Sequence, residues 1–305
     1  MSVAALTHQR LTWVNIEKPT PDDVAYLRKH YPFHPLDLED ILSPIERPKI
    51  DDYDDYSFIV MQFPIYDRQM LFTRPNEVDF FIGPGYLISI QDGQLKPLND
   101  LFSACRSDGM VCAKTMSHGP GRLLYHILDG MVDYMFAMLR KLDAKIVSVE
   151  EIMFAENMRQ IVQDISLTRR DIITLRRVVR PQIAIVSNLE RKERPFIQQD
   201  MEVYFSDIVD AFSRAWDILE EYREIIEGLS ETSDSVSSYR TNDVIRILTV
   251  ISVVMLPLTL ISGIYGMNLE WLPAANSELG FFFVVAIMLV VAGGMLYFFR
   301  RRGFL

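Results

Sequence analysis

This 305-residue chain contains few soft metal ligands, with two cysteines and five histidines. Cys105 and Cys112 fit a reducing compartment and have no metal-site spacing. His30 and His34 stand four apart, but Pro32 between them works against the helix that would align them on one metal. His118 and His126 are isolated. No phosphate-binding loop and no nucleophile–base pattern occurs, which disfavours an enzyme. No basic patch interleaved with aromatics is present, and the net charge is −10, from 41 acidic and 31 basic residues. That balance argues against nucleic acid as a partner and is compatible with handling cations. The N-terminus mixes His8, Arg10, Glu17 and Lys18 into its apolar stretches and lacks the core of a signal peptide.

Charge is also missing from two long stretches. Residues 247–264 and 279–299 contain no Asp, Glu, Lys, Arg or His. Apolar runs of about 18 or more residues read as membrane-spanning helices, and their lack of ionisable groups argues against a proton relay or charged coupling site in the bilayer. Arg240 and Arg246 precede the first run and Arg300, Arg301 and Arg302 follow the second, whereas the connection at 265–278 has no Lys or Arg. The positive-inside tendency then puts both termini in the cytoplasm and the connection outside.

The remaining stretches follow from local texture. Residues 1–118 predict a cytosolic α/β domain, with strand-like runs at Tyr56–Phe63, Val78–Ile82 and Tyr86–Ile90 between Pro- and Gly-containing turns. Residues 119–196 predict long antiparallel helices. Leu124, Leu128, Met131, Met135, Met138 and Leu142 mark the first, and Ile161, Ile165, Ile172, Leu175 and Val179 the second, which Pro181 is expected to kink. Residues 197–246 predict a stalk helix continuing into the span at 247–264. The connection at 265–278, the second span at 279–299 and a basic tail at 300–305 complete the chain. A helix from about Gln198 to Ile264, on the order of 100 Å long, is not stable alone and must pack on its neighbours and on copies of itself. Along it, Asp210, Asp217, Glu224 and Glu231 recur every seven residues, as do Glu220, Glu227 and Asp234. These are either a solvated face or an acidic funnel that concentrates cations, with Glu231 nearest the span.

Directly after the first span comes Tyr265-Gly266-Met267-Asn268, with Pro257 inside the span and Trp271-Leu272-Pro273 beyond. Taken alone, this could be a Gly/Asn helix cap. At the outer end of the first of two C-terminal spans, it resembles the motif of the CorA-type divalent-cation transporters. The resemblance covers nearly the whole chain, and its sequence-specific part is residues 242–273. It implies an α+β cytosolic head, a long helical stalk and a C-terminal two-helix transmembrane hairpin, assembled as a funnel-shaped homopentamer in the plasma (inner) membrane. The implied cargo is Mg2+, with Co2+, Ni2+ or Zn2+ as alternatives; a non-transporting membrane-anchored scaffold is the alternative of a different class.

The resemblance also implies roles for individual residues. Asn268 would form a ring at the pore mouth whose amide oxygens accept hydrogen bonds from the water shell of Mg2+, an ion that gives up water reluctantly. Gly266 would permit the sharp turn. Asn242, Ile245, Leu248, Ser252, Leu256 and Thr259 fall on one face, which the resemblance places on the pore; the pattern alone fits a helix-packing face equally well. Asp207 matches the family's stalk acid that binds regulatory Mg2+ between subunits. Its partner is open between Asp100 and the cluster Asp51, Asp52, Asp54 and Asp55. The connection departs from the family's Met-Pro-Glu-Leu continuation. Its acids are Glu270 and Glu278, which leaves the ion preference open.

Overall fold

The computed structural model describes residues 3–43, 46–67, 72–153, 158–198, 200–267 and 279–304. They divide into two compact units, residues 1–230 and 231–305.

The first unit holds a six-stranded sheet. Its strands are β1 (Val3–His8), β2 (Leu11–Glu17), β3 (Lys49–Asp52), β4 (Ser57–Asp67), β5 (Phe72–Gly83) and β6 (Tyr86–Gln91), in the order β1-β2-β6-β5-β4-β3. Only β2 and β6 run parallel. The period-2 alternation of the strands sorts their side chains into two cores. Phe58, Val60, Phe81, Ile88 and Ile90 face helices α1 (Pro21–His30) and α2 (Pro35–Asp40), with Leu27, Phe33 and Leu38 filling the space. Ile59, Met61, Phe63, Val78 and Phe80 face the opposite way. There they meet α3 (Lys96–Ser107), α4 (Gly109–Met116), α5 (Gly119–Ile152), α6 (Met158–Arg191) and the first part of α7 (Met201–Tyr265).

The strands expected at Tyr56–Phe63, Val78–Ile82 and Tyr86–Ile90 are the cores of β4, β5 and β6. The pair β1–β2 and the helices α3 and α4 are additional. The hairpin β1–β2 turns through Gln9 at φ 53 instead of an Asn-Gly or Gly-Gly turn, and α3 starts at Leu95 without a side-chain cap. The hairpin therefore lacks the usual turn signal, and α3 lacks a polar N-cap and keeps only Pro97 in its first turn as a start signal. Helix α6 is continuous across Pro181, whose missing N–H costs one intrahelical hydrogen bond without ending the helix. His30 ends α1, while His34 caps α2 by accepting from the Leu36 N–H at 3.3 Å, so the two imidazoles serve separate elements.

Two polar contacts tie the long helices to the sheet. The buried Asp171 of α6 accepts from the Thr73 N–H at 2.9 Å. At the far end of α6, Arg194 is 5% exposed and grips Asp52 of β3 with Nε at 2.8 Å and Nη2 at 3.0 Å. Lys192 and Ser57 donate to the same carboxylate. Burial pushes the Asp52 carboxyl up, but these donors outweigh it and hold it down at about 2. Because the folded value lies below the ordinary aspartate value of about 3.9, this contact stabilises the fold fully above that pH and is lost as pH falls towards 2. Asp52→Asn leaves Arg194 buried without its counter-ion and should cost about 3 kcal/mol. Thermal unfolding at pH 7 measures the loss, and the deficit relative to wild type should shrink below pH 4.

Candidate ion path and acidic sites

The expected pore face lies on α7 within the second unit. Asn242, Ile245, Leu248, Ser252, Leu256 and Thr259 are all exposed in the single chain, with Leu256 at 70%, while Val250 and Val254 on another side of the helix are buried. Ser252, Leu256 and Thr259 border one open groove, together with Met255, Leu260, Gly263, Ile264 and Met267. Thr259 Oγ1 donates to the Met255 carbonyl at 2.8 Å, and Thr249 Oγ1 does the same to Ile245 at 2.7 Å. With its hydrogen committed to the backbone, the Thr259 hydroxyl presents lone pairs outward and is an acceptor.

At the end of α7, the Gly266 N–H donates to the Ser262 carbonyl at 2.9 Å. Gly266 is not among the glycines with positive φ. Its missing side chain instead relieves crowding, since a Cβ there would stand 3.1 Å from the Ser262 oxygen. Tyr265 is the last residue of α7, and Met267, just beyond it, is exposed. Asn268, Glu270 and Glu278 lie outside the described residues. Helix α8 (Gly280–Arg301) is apolar, is as exposed as expected of a lipid-facing segment, and ends on Arg300 and Arg301, where cations suit the negative end of the helix dipole. Both α7 and α8 contain stretches long and apolar enough to cross a membrane.

In the first unit, Asp207 is exposed on α7 where α5 runs beside it. The Arg122 guanidinium lies 3.6 Å from the Tyr204 ring centre and 5.2 Å from that of Tyr125, joining the two helices. Beside them sits Asp129 of α5, whose carboxyl is pushed up by partial burial and then by the neighbouring charges of Asp133 and Asp207. Its own burial, and then the charges of Asp129 and Asp207, raise the Tyr125 phenol. Asp129 and Asp133 were not singled out from the sequence, because on an amphipathic helix they read as ordinary solvent-facing acids.

Of the expected partners of Asp207, Asp100 is exposed on α3. Of the rival cluster, Asp52 is committed to Arg194 and Asp51 pairs with Lys49 at 2.9 Å, leaving Asp54 and Asp55 exposed. Among the described residues, no three His, Cys, Asp or Glu side chains converge to hold a metal within one chain.

The acidic stripes of α7 divide by environment. Glu220 pairs with Arg176 and Arg223, and Glu227 with Arg223 at 3.0 Å, so this second set is largely neutralised. Asp210, Asp217 and Glu231 are exposed and have no ion pair among the described residues, while Glu224 has only a 3.9 Å contact with Arg223.

An α/β domain followed by two uncharged apolar helices defines a membrane protein with a large water-soluble part, and comparison with known proteins narrows it further. A family model described as CorA-like Mg2+ transporter protein matches residues 8–301. The cobalt/magnesium transport protein CorA of Thermotoga maritima is 31% identical over 88% of this chain and 76% of its own length. The zinc transport protein ZntB of Yersinia enterocolitica is 23% identical over 91% of this chain and 83% of its own. Among solved structures, the complete CorA magnesium transporter of Methanocaldococcus jannaschii superposes with a TM-score of 0.85 at 24% identity, covering 98% of this chain and 94% of that one. The chain belongs to the CorA-like Mg2+ transporter family, a family of transport proteins and not of enzymes.

The crowding of Asp207, Asp129 and Asp133 has a measurable consequence. Without divalent cations at neutral pH, Asp207→Asn should raise the melting temperature of the purified chain by a few degrees through relief of like-charge repulsion. The same variant should gain less from added Mg2+ than wild type, as read by thermal unfolding in EDTA and in millimolar Mg2+.

Proposed function

We propose that this chain is a homopentameric channel of the plasma (inner) membrane that carries Mg2+ into the cytoplasm down its electrochemical gradient. The observation that carries this reading is the Gly-Met-Asn turn directly after an uncharged span, in a chain matched to the CorA-like family from residue 8 to 301. A membrane potential of 100 mV alone favours inward movement of a divalent cation by about 4.6 kcal/mol. No charged relay within the spans is then required.

In this reading the ion travels with its water. Waters around Mg2+ point their hydrogens outward, so a path for the hydrated ion needs acceptors. Thr259 offers one, since its own hydrogen is spent on Met255. Asn268 offers an amide oxygen at the mouth, Leu256, Leu248 and Ile245 line the apolar middle, and Ser252 and Asn242 supply polar groups towards the cytoplasmic end. Asp210, Asp217, Glu224 and Glu231 draw cations along the stalk, and Glu270 and Glu278 do so at the outer mouth. Asp207, with Asp129 and Asp133 beside it, binds regulatory Mg2+ against an acid of the next subunit. Cytosolic Mg2+ holds the closed state there, and its loss leaves like charges facing each other.

A second reading has its own support. The zinc transport protein ZntB lies among the relatives, and the connection after Asn268 departs from the common continuation, so Zn2+, Co2+ or Ni2+ is the alternative cargo. The pore face has no Cys, His or Met at the six named positions, which favours passage of hydrated ions over direct soft-metal ligation.

Proteoliposomes containing a Mg2+-sensitive dye test the reading. Wild type should show influx that hexaammine cobalt, an exchange-inert mimic of a hydrated cation, blocks. Asn268→Ala should abolish that influx, and normal influx in the variant removes Asn268 from the mechanism. Zn2+ influx with no Mg2+ influx in wild type selects the second reading, whereas a folded wild type that conducts neither ion leaves a scaffold.

Thr259→Val separates the hydroxyl from its shape. It keeps the volume but removes the acceptor, and should lower Mg2+ influx several-fold while leaving pentamer formation intact. Thr259→Ser should recover most of it.

A further inference from the structure

Strand β5 has β4 beside it along its whole length, but β6 covers it only from Val78 to Gly83. Beyond Val78 its edge opens onto a cavity of about 300 Å3 in the head, whose polar border includes Arg74, Asn76, Glu77, Asp79, Gln91 and Asp92. Two of these residues are buried with an oxygen that no described residue satisfies. Asp79 is 4% exposed and Asn76 3% exposed, and Oδ1 of each lacks a hydrogen-bond partner among the described residues. Buried polar oxygens are seldom left this way, and a bare buried carboxylate least of all.

The surrounding groups do not resolve the shortfall. The nearby protein cations are engaged elsewhere: Arg74 donates to Gln94 at 2.8 Å and faces Asp67 at 3.6 Å, and Lys49 is held by Asp40 at 2.7 Å and Asp51 at 2.9 Å. Burial first, and then the negative charges of Glu77, Asp40 and Glu46, push the Asp79 carboxyl well above the usual range, with the Lys49 charge acting only weakly the other way. Burial likewise raises Glu77 to about 7, although the Glu46 N–H donates to it. A protonated Asp79 would need an acceptor for its O–H, and no hydrogen bond of that side chain occurs among the described residues. Asn76 Nδ2 donates to Asp92 at 2.6 Å, which fixes the amide with its bare oxygen as an acceptor.

We propose that this cavity binds a divalent cation of the Mg2+ type, ligated or contacted through its water by the Asp79 and Glu77 carboxylates. The donors are all oxygen, which disfavours a Zn2+-type site. No three acidic or soft side chains converge among the described residues, so the dense oxygen cage of Ca2+ is missing too. One or two carboxylates with the rest of the shell left as water is the habit of Mg2+. Six waters at about 30 Å3 each fit within the cavity. The site lies within one chain and uses neither the Asp207 face nor the spans, so it stands or falls independently of the transport reading.

Mn2+, a paramagnetic stand-in for Mg2+, tests the proposal by titration of the full chain purified in detergent. Asp79→Asn and Glu77→Gln should each lose one bound Mn2+ per chain, or weaken it at least tenfold, and excess Mg2+ should displace that ion from wild type. Asp207→Asn should retain it. Thermal unfolding guards against a misfolded variant: in EDTA, Asp79→Asn should melt at or above wild type, because a bare buried charge is gone, yet lose part of the rise that Mg2+ produces. Asp79→Ser should behave likewise. Unchanged Mn2+ number and affinity in Asp79→Asn overturns the proposal. So does an Asp207→Asn chain, with Asp79 intact, that gains stability on acidification and none from Mg2+, since Asp79 is then a buried neutral acid.

Discussion

The burial of one apolar stripe on α7 is the constraint from which most of the first unit follows. A helix of 65 residues cannot be held by its own hydrogen bonds and propensities. Over its first third, Phe205, Ile208, Phe212, Ala215, Leu219 and Ile226 recur at spacings of three, four and seven and are buried in the same core as the sheet. That core needs a broad apolar surface opposite the helix, which α5, α6 and one face of the sheet supply. The stripe ends after Ile226, with Leu229 only partly buried, and the division between the two units falls at Ser230. Beyond it the helix carries exposed polar and acidic residues, and then the uncharged run.

Helix α7 therefore changes its solvent along its length without changing its backbone. Aromatic and branched side chains suit a packed core, exposed acids suit water, and Ile247–Ile264 suits hydrocarbon. Where the apolar stretch includes hydroxyls, Thr249 and Thr259 return their hydrogens to the carbonyls one turn back. This satisfies the donor in an apolar medium and leaves only an acceptor outward. Pro257 is tolerated in such a segment because polar side chains and local adjustment can compensate the hydrogen bond it forgoes.

How much of this was legible in the sequence depends on the range of the signal. The periodic stripes of α5, α6 and α7 and the two uncharged runs are local patterns, and each predicted helix is present within a few residues. The edge strands β1 and β3 are short and partly exposed, so their alternation is weak. The Asp52–Arg194 contact joins residues 142 apart, and nothing at either position announces the other. It also turns an apparent acidic cluster, a rival metal site on paper, into a structural ion pair. Asp129 was hidden for the opposite reason: on a helix surface an acid is unremarkable until Asp207 is brought beside it. At Gly266 the sequence suggests a glycine chosen for a sharp turn, whereas its φ is not positive and what a side chain there would crowd is the Ser262 carbonyl.

The distribution of oxygen donors follows from what each part of the chain must do with a hydrated cation. A path that conducts must let go, so weak, neutral acceptors suit it, and the spans carry hydroxyls with no carboxylate. A site that senses or retains an ion needs charge, and the carboxylates gather in the water-soluble unit. There they are kept from neutralising themselves in two ways. Some, such as Asp210 and Asp217, stand alone in solvent, where repulsion is screened and cheap. Others are crowded or buried, as Asp129 is beside Asp207 and Asp79 is beneath Glu77, at a cost the fold tolerates only if something positive can offset it. Glu220 and Asp52 show that this chain places an arginine against an acid where a permanent counter-ion is wanted. Leaving Asp79 without one, while Arg74 and Lys49 nearby are bound to other acids, marks its counter-ion as one that comes from solution.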